Sequence, residues 1–112
     1  MQIKERVEPH GTILDIVGDL TYANRLAFKA ATDKAKQGGC RHLILNMEQV
    51  RFVDSAGLGL LVLVSQSFKH IQGQVGILKP QSYVLEIMNL SNIPKMIPIY
   101  DSEDDARIAR AA

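Results

Sequence analysis

The chain lacks most features that would commit it to a chemistry readable from sequence alone. Its 112 residues include one cysteine, Cys40. No intrachain disulfide and no cysteine-based metal site can therefore form. A lone thiol fits a reducing compartment, so the expected location is the cytoplasm. No apolar signal region follows Met1-Gln2-Ile3-Lys4-Glu5-Arg6. The longest apolar stretch, Leu58 to Val64, is interrupted by Gly59 and is far too short to cross a bilayer, so no membrane association is expected.

Charge of one sign is missing too. Thirteen basic residues face twelve acidic ones, for a net charge of +1, and no basic run reaches five. A binder of phosphate backbones at this size needs a stronger positive field, so direct nucleic-acid binding is not expected. No Walker A sequence and no Gly-x-Gly-x-x-Gly occurs. Ser55 is not in a Gly-x-Ser-x-Gly elbow, because Val53 stands where the first glycine belongs. His10, His42 and His70 fall on a turn, a strand and a helix end without metal-ligand spacing. Asp104 and Asp105 read as complements to a helix dipole, not as a catalytic pair. The chain thus reads as a non-enzyme with no metal and no cofactor.

What is present is ordinary globular composition, 46% apolar and 22% charged, at one domain's length, residues 1–112. Residues 2–8 alternate weakly and predict a first strand. Pro9-His10-Gly11 signals a turn, and Thr12 to Val17 is rich in β-branched residues, so an antiparallel hairpin is expected. Thr21 is the expected N-cap of a helix with Ala23, Leu26, Ala27, Ala30, Ala31 and Ala35 at helical spacing on its buried face. Gly38-Gly39 ends that helix. Residues 41–47 contain the short apolar run of a buried strand, entered by a parallel crossover.

A second helix is predicted from about Ala56 to Ile71, with Leu60, Leu61, Val64 and Phe68 in the core. The strand Gln74 to Leu78 follows, then a short helix from Gln81 to Leu90 with Tyr83, Val84, Ile87 and Met88 on one side. Residues 97–100 form a weak last strand, confined to an edge or a strand end by Pro98. Ser102 caps a final helix opened by Glu103, Asp104 and Asp105. The order β-β-α-β-α-β-α-β-α defines a single α/β domain with a mixed sheet.

One segment stands apart: Phe52-Val53-Asp54-Ser55-Ala56-Gly57-Leu58-Gly59. Ser55 precedes an apolar helical run and reads as its N-cap. Two glycines in a first helical turn cost roughly 1 kcal/mol each relative to alanine, so something offsets them. Bare backbone there lets a phosphate or another protein approach. A phosphate on Ser55 would sit at the positive end of the helix dipole, and would add about −1.5 to −2 charges beside Asp54. Leu58, in the same turn, is a candidate exposed anchor for a partner. The plainer alternative is that Ser55 only caps and the glycines only pack.

The hexapeptide Asp54-Ser55-Ala56-Gly57-Leu58-Gly59 resembles the motif of STAS domains, and among them the anti-sigma factor antagonists. Gly18-Asp19-Leu20 is similar to that family's Gly-Glu/Asp-Leu, and Arg41 to Met47 to its buried third strand. The resemblance covers nearly the whole chain. It implies a STAS fold: a mixed, mostly parallel sheet of four to five strands with about four helices.

It also implies a function. The unphosphorylated form would bind an anti-sigma factor that is a serine kinase of the histidine-kinase-like ATPase fold, and so release the sigma factor. Phosphorylation of Ser55 would switch binding off, and a PP2C-type phosphatase would reverse it. The implied partner-binding residues are Asp19, Leu20, Thr21, Asn24, Asp54, Ser55, Ala56, Gly57 and Leu58. Thr21 departs from the family, which carries Asp there; threonine keeps the capping ability and loses the charge. The alternatives are a STAS regulator of a pathway without a sigma factor, such as biofilm or polysaccharide control or a signalling-complex subunit, or a nucleotide-binding module.

Overall fold

The first 17 residues set the edge of the sheet. Strand β1 (Gln2–Glu8) turns through Pro9 and His10 and runs back as β2 (Gly11–Val17), antiparallel, with Ile3 opposite Ile16 and Arg6 opposite Ile13. The remaining pairings are parallel. β3 (His42–Gln49) lies beside β2, β4 (Gln74–Leu78) beside β3, and β5 (Ile99–Tyr100) beside β4, giving the order β1-β2-β3-β4-β5. This is a computed structural model, and it describes residues 1–111. The fold expected from sequence, one α/β domain with a mixed five-stranded sheet and four α-helices, is what it contains.

The central strands are buried on both faces, which is why they read as continuous apolar runs. On one face Leu14, Ile16, Leu43, Leu45, Met47, Val75 and Ile77 form the main core. Helices α1 (Arg25–Gln37), α2 (Ser55–Lys69) and α3 (Ser82–Leu90) contribute Phe28, Leu61, Val64, Phe68, Val84 and Met88 to it. On the other face Ile13, Ile44 and Leu78 meet Ala106 of α4 (Glu103–Ala111), with Tyr100 packed alongside. Ser102 Oγ accepts the Asp105 N–H at 3.0 Å, so α4 begins with the cap its sequence predicts.

A polar cluster holds α4 to the sheet. The Arg6 guanidinium donates to Asp15 at 2.6 and 3.0 Å and to Glu103 at 3.2 and 3.0 Å, and Asn46 Nδ2 donates to Asp15 at 2.7 Å. Hydrogen bonding from Arg6 holds both carboxyls below the usual carboxylate range. The same bonds push the Arg6 guanidinium further into its charged form.

The structure corrects several local expectations. Thr21 makes no side-chain capping bond and precedes a single 3-10 turn, Tyr22–Asn24; α1 starts only at Arg25. The buried stripe of α1 is Phe28, Thr32 and Ala35, with Ala31 half-buried, whereas Ala23, Leu26, Ala27 and Ala30 face outward. The expected stripe holds at Ala31 and Ala35 and fails at the four positions before them. Phe28 decides it, because burying one phenylalanine outweighs burying several methyl groups. Tyr83 is exposed on α3. β5 is shorter than expected, beginning at Ile99 just after Pro98, which cannot donate to a ladder.

Candidate functional site

The site is built where two loops leave the sheet side by side. The loop after β2 and the loop after β3 are stitched together by backbone. Leu20 N–H donates to Phe52 O at 3.0 Å, and Asp54 N–H donates to Leu20 O at 3.3 Å. Leu20 and Val53 pair as a short parallel bridge, both with buried side chains. Gly18 N–H adds a bond to Gln49 O at 3.3 Å. The junction thus pairs like a small extra piece of sheet.

Asp54, not Ser55, caps α2. Its backbone is extended, at φ −94° and ψ −178°, and its Oδ1 accepts the Gly57 N–H at 2.7 Å. The expected Ser55 cap is therefore overturned. A carboxylate serves a helix N-terminus better than a hydroxyl, because its charge also meets the dipole. Ser55 is the first helical residue, exposed, and its hydroxyl bonds to none of the described residues.

The other Asp54 oxygen reaches across to the first loop. Oδ2 accepts the Tyr22 N–H at 3.1 Å. Tyr22 opens the 3-10 turn, and the Arg25 guanidinium lies 3.8 Å from its ring centroid while Nη1 donates to Tyr22 O at 2.9 Å. Tyr22 is 59% exposed and Phe52 42%. Neither Tyr22 nor Arg25 stood out in the sequence. The available signal was an aromatic and an arginine three residues apart where the first loop meets α1.

The two glycines have different roles. A β-carbon on Gly57 would collide with the Leu20 carbonyl, so Gly57 permits the close approach of helix and loop. A β-carbon on Gly59 would enter open space. Its exposure is continuous with Ser55, one helical turn earlier, and with Leu63, one turn later.

Of the residues expected to meet a partner, Asp54, Ser55, Ala56, Gly57 and Leu58 come together with Asp19, Leu20, Thr21 and Asn24 across the stitched loops. Their exposure differs. Leu20 is fully buried and Gly57 is buried, so both serve the site through backbone. Leu58 is half-buried and packs on the core, so it is not the exposed anchor expected. Asn24 spends its amide on Asp19 O at 2.7 Å. Among the described residues no three His, Cys, Asp or Glu side chains gather as metal ligands, and no helix is long and apolar enough to cross a membrane.

A five-stranded mixed sheet with a loop–helix junction carrying Asp-Ser-x-Gly-Leu-Gly defines a class of domain. The family model described as "STAS domain" matches residues 1–106, and the chain belongs to that family. It is 26% identical over 109 residues to the anti-sigma F factor antagonist of Paenibacillus polymyxa, covering 95% of this chain and 93% of that one. Its structure superposes on an anti-sigma factor antagonist from Mycobacterium paratuberculosis with a TM-score of 0.88, at 17% identity, over 99% of this chain and 94% of that one. The Bacillus cell fate determinant SpoIIAA in its phosphorylated form gives a TM-score of 0.73 at 21% identity, over 99% and 100%. These structural likenesses establish the fold.

Proposed function

We propose that this protein is an anti-sigma factor antagonist switched by phosphorylation of Ser55. The single observation that carries the reading is the state of Ser55: an exposed, unbonded hydroxyl at the first position of α2, released from capping by Asp54. A phosphoryl group added there meets the positive end of a helix dipole, so it is held without unfolding the domain. The names of the relatives support the role, and the phosphorylated SpoIIAA structure supports a modified state on this fold.

The partner is an anti-sigma factor that is also a serine kinase of the ATPase fold, and the setting is the cytoplasm. It docks on the Ser55 turn and the Tyr22–Asn24 turn. In the transfer, Ser55 Oγ bonds to the γ-phosphorus of ATP, the β–γ bridge of the nucleotide breaks, and the hydroxyl proton passes to a base of the kinase. The new charge, about −1.5 to −2, opposes a docked surface that is acidic or apolar. A PP2C-type phosphatase restores the binding form.

The test is incubation with ATP and each ATPase-fold anti-sigma factor of the source organism, followed by peptide mass spectrometry. Phosphate on Ser55, absent from Ser55→Ala, is the expected result. Labelling only elsewhere, or equal labelling of Ser55→Ala, overturns the assignment. Calorimetry should give tight binding for Ser55→Ala and much weaker binding for Ser55→Asp; equal affinities contradict the charge mechanism.

A further inference from the structure

Asp54 holds two elements at once. Oδ1 is bound to the N-terminus of α2 at Gly57, and Oδ2 to the Tyr22 N–H of the neighbouring turn. Tyr22 in turn carries Arg25, stacked on its ring and bonded to its carbonyl. The most exposed aromatic of the site is thus positioned through one carboxylate that is the chain neighbour of Ser55. We propose that Asp54 is a positioning residue that transmits the state of Ser55 to the Tyr22–Arg25 pair: a phosphoryl group on Ser55 loosens the Asp54–Tyr22 bond and frees the pair. This inference rests on Ser55 being the modified residue.

The two bonds are unequal, and that sets the direction. The Gly57 bond is short, part-buried and aligned with the dipole of a 15-residue helix. The Tyr22 bond is longer and exposed. A dianion one residue away repels the Asp54 carboxylate and competes for the amides of the first turn. The weaker restraint yields first. The surface seen by a partner then differs at Tyr22 as well as at Ser55, so phosphorylation removes a docking element besides adding charge.

The experiment needs no kinase. Phosphoserine is incorporated at position 55 of the full chain by codon reassignment, and amide exchange and chemical shifts are read by NMR. The Tyr22 amide should exchange at least about tenfold faster in the phosphorylated protein, the worth of a lost bond to a charged acceptor. The Gly57 amide should keep its protection. Asp54→Asn retains one good capping oxygen and loses the second acceptor. It should free Tyr22 in the unphosphorylated protein while Gly57 stays protected, and phosphoserine should then add no further change at Tyr22.

A Tyr22 amide unmoved by phosphoserine overturns the coupling. So does an Asp54→Asn protein in which phosphoserine still shifts Tyr22 in full. If Asp54→Asn proves unfolded, the wild-type comparison alone decides. Failure of any kinase to label Ser55 would count against the proposed function, and would leave this physical coupling measurable on its own.

Discussion

The Leu20 carbonyl oxygen lies where the β-carbon of any residue but glycine at position 57 would have to go. This relationship explains a costly feature of α2 and separates its two glycines. Gly57→Ala should lower stability by about 1–3 kcal/mol, because the loop or the helix must shift to relieve the overlap. Gly59→Ala should raise it by about 1 kcal/mol, since its β-carbon meets open space and alanine is the better helix former. Urea denaturation of both variants checks the pair. A stabilised Gly57→Ala would show that the two loops are not stitched as described.

Capping should follow Asp54. Asp54→Ala is expected to cost about 0.5–2 kcal/mol as a lost N-cap. Ser55→Ala, at an exposed position without side-chain bonds, should stay within about 0.5 kcal/mol of the wild type. Thermal unfolding of the two variants measures this. A large loss in Ser55→Ala alone would return the cap to the serine.

The outward and inward faces of α1 should separate equally clearly. Phe28 is 1% exposed and Leu26 is 69% exposed. Phe28→Ala should cost about 3–5 kcal/mol, while Leu26→Ala should be neutral within about 0.5 kcal/mol. Denaturant midpoints at constant slope give both values. Comparable losses would mean that the helix is rotated from the orientation described.

Acid should weaken the attachment of α4. Hydrogen bonding from Arg6 holds the Asp15 and Glu103 carboxyls below their unfolded values, so the folded protein binds fewer protons there. The stabilisation is complete above the unfolded pKa of about 4 and is lost as pH falls through the lower folded values. Wild type should melt above Arg6→Met at pH 7, and the two Tm curves should converge as pH drops below about 4. Parallel curves down to pH 2 would remove these carboxylates from the stability of the fold.

Most of the fold was legible in the residues because each element carried its own punctuation. Pro9-His10-Gly11 marked the hairpin, Gly38-Gly39 ended the first helix, and Ser102 with three acids opened α4. The strands His42–Gln49 and Gln74–Leu78 stood out because strands buried on both faces need apolar side chains pointing both ways. The phase of the first half of α1 was not legible. Alanine is compatible with either face of a helix, so a run of alanines gives period without direction, and only packing against the sheet showed that Phe28 points inward.

The candidate site divides in the same manner. By itself the sequence determined that Asp54-Ser55-Ala56-Gly57-Leu58-Gly59 stands where a loop becomes a helix, since chain order alone fixes which amides are exposed at a helix start. It did not determine which side chain satisfies them. Asp54 and Ser55 are both good caps by type, and the choice fell to the residue whose carboxylate serves α2 and Tyr22 at once. Tyr22 lies 32 residues away along the chain from Asp54. Their meeting follows from the parallel pairing of β2 with β3, which delivers both loops to the same end of the sheet. Proximity of that kind is a property of the tertiary structure, and it places the cap beside Ser55 in contact with a turn from a distant part of the chain.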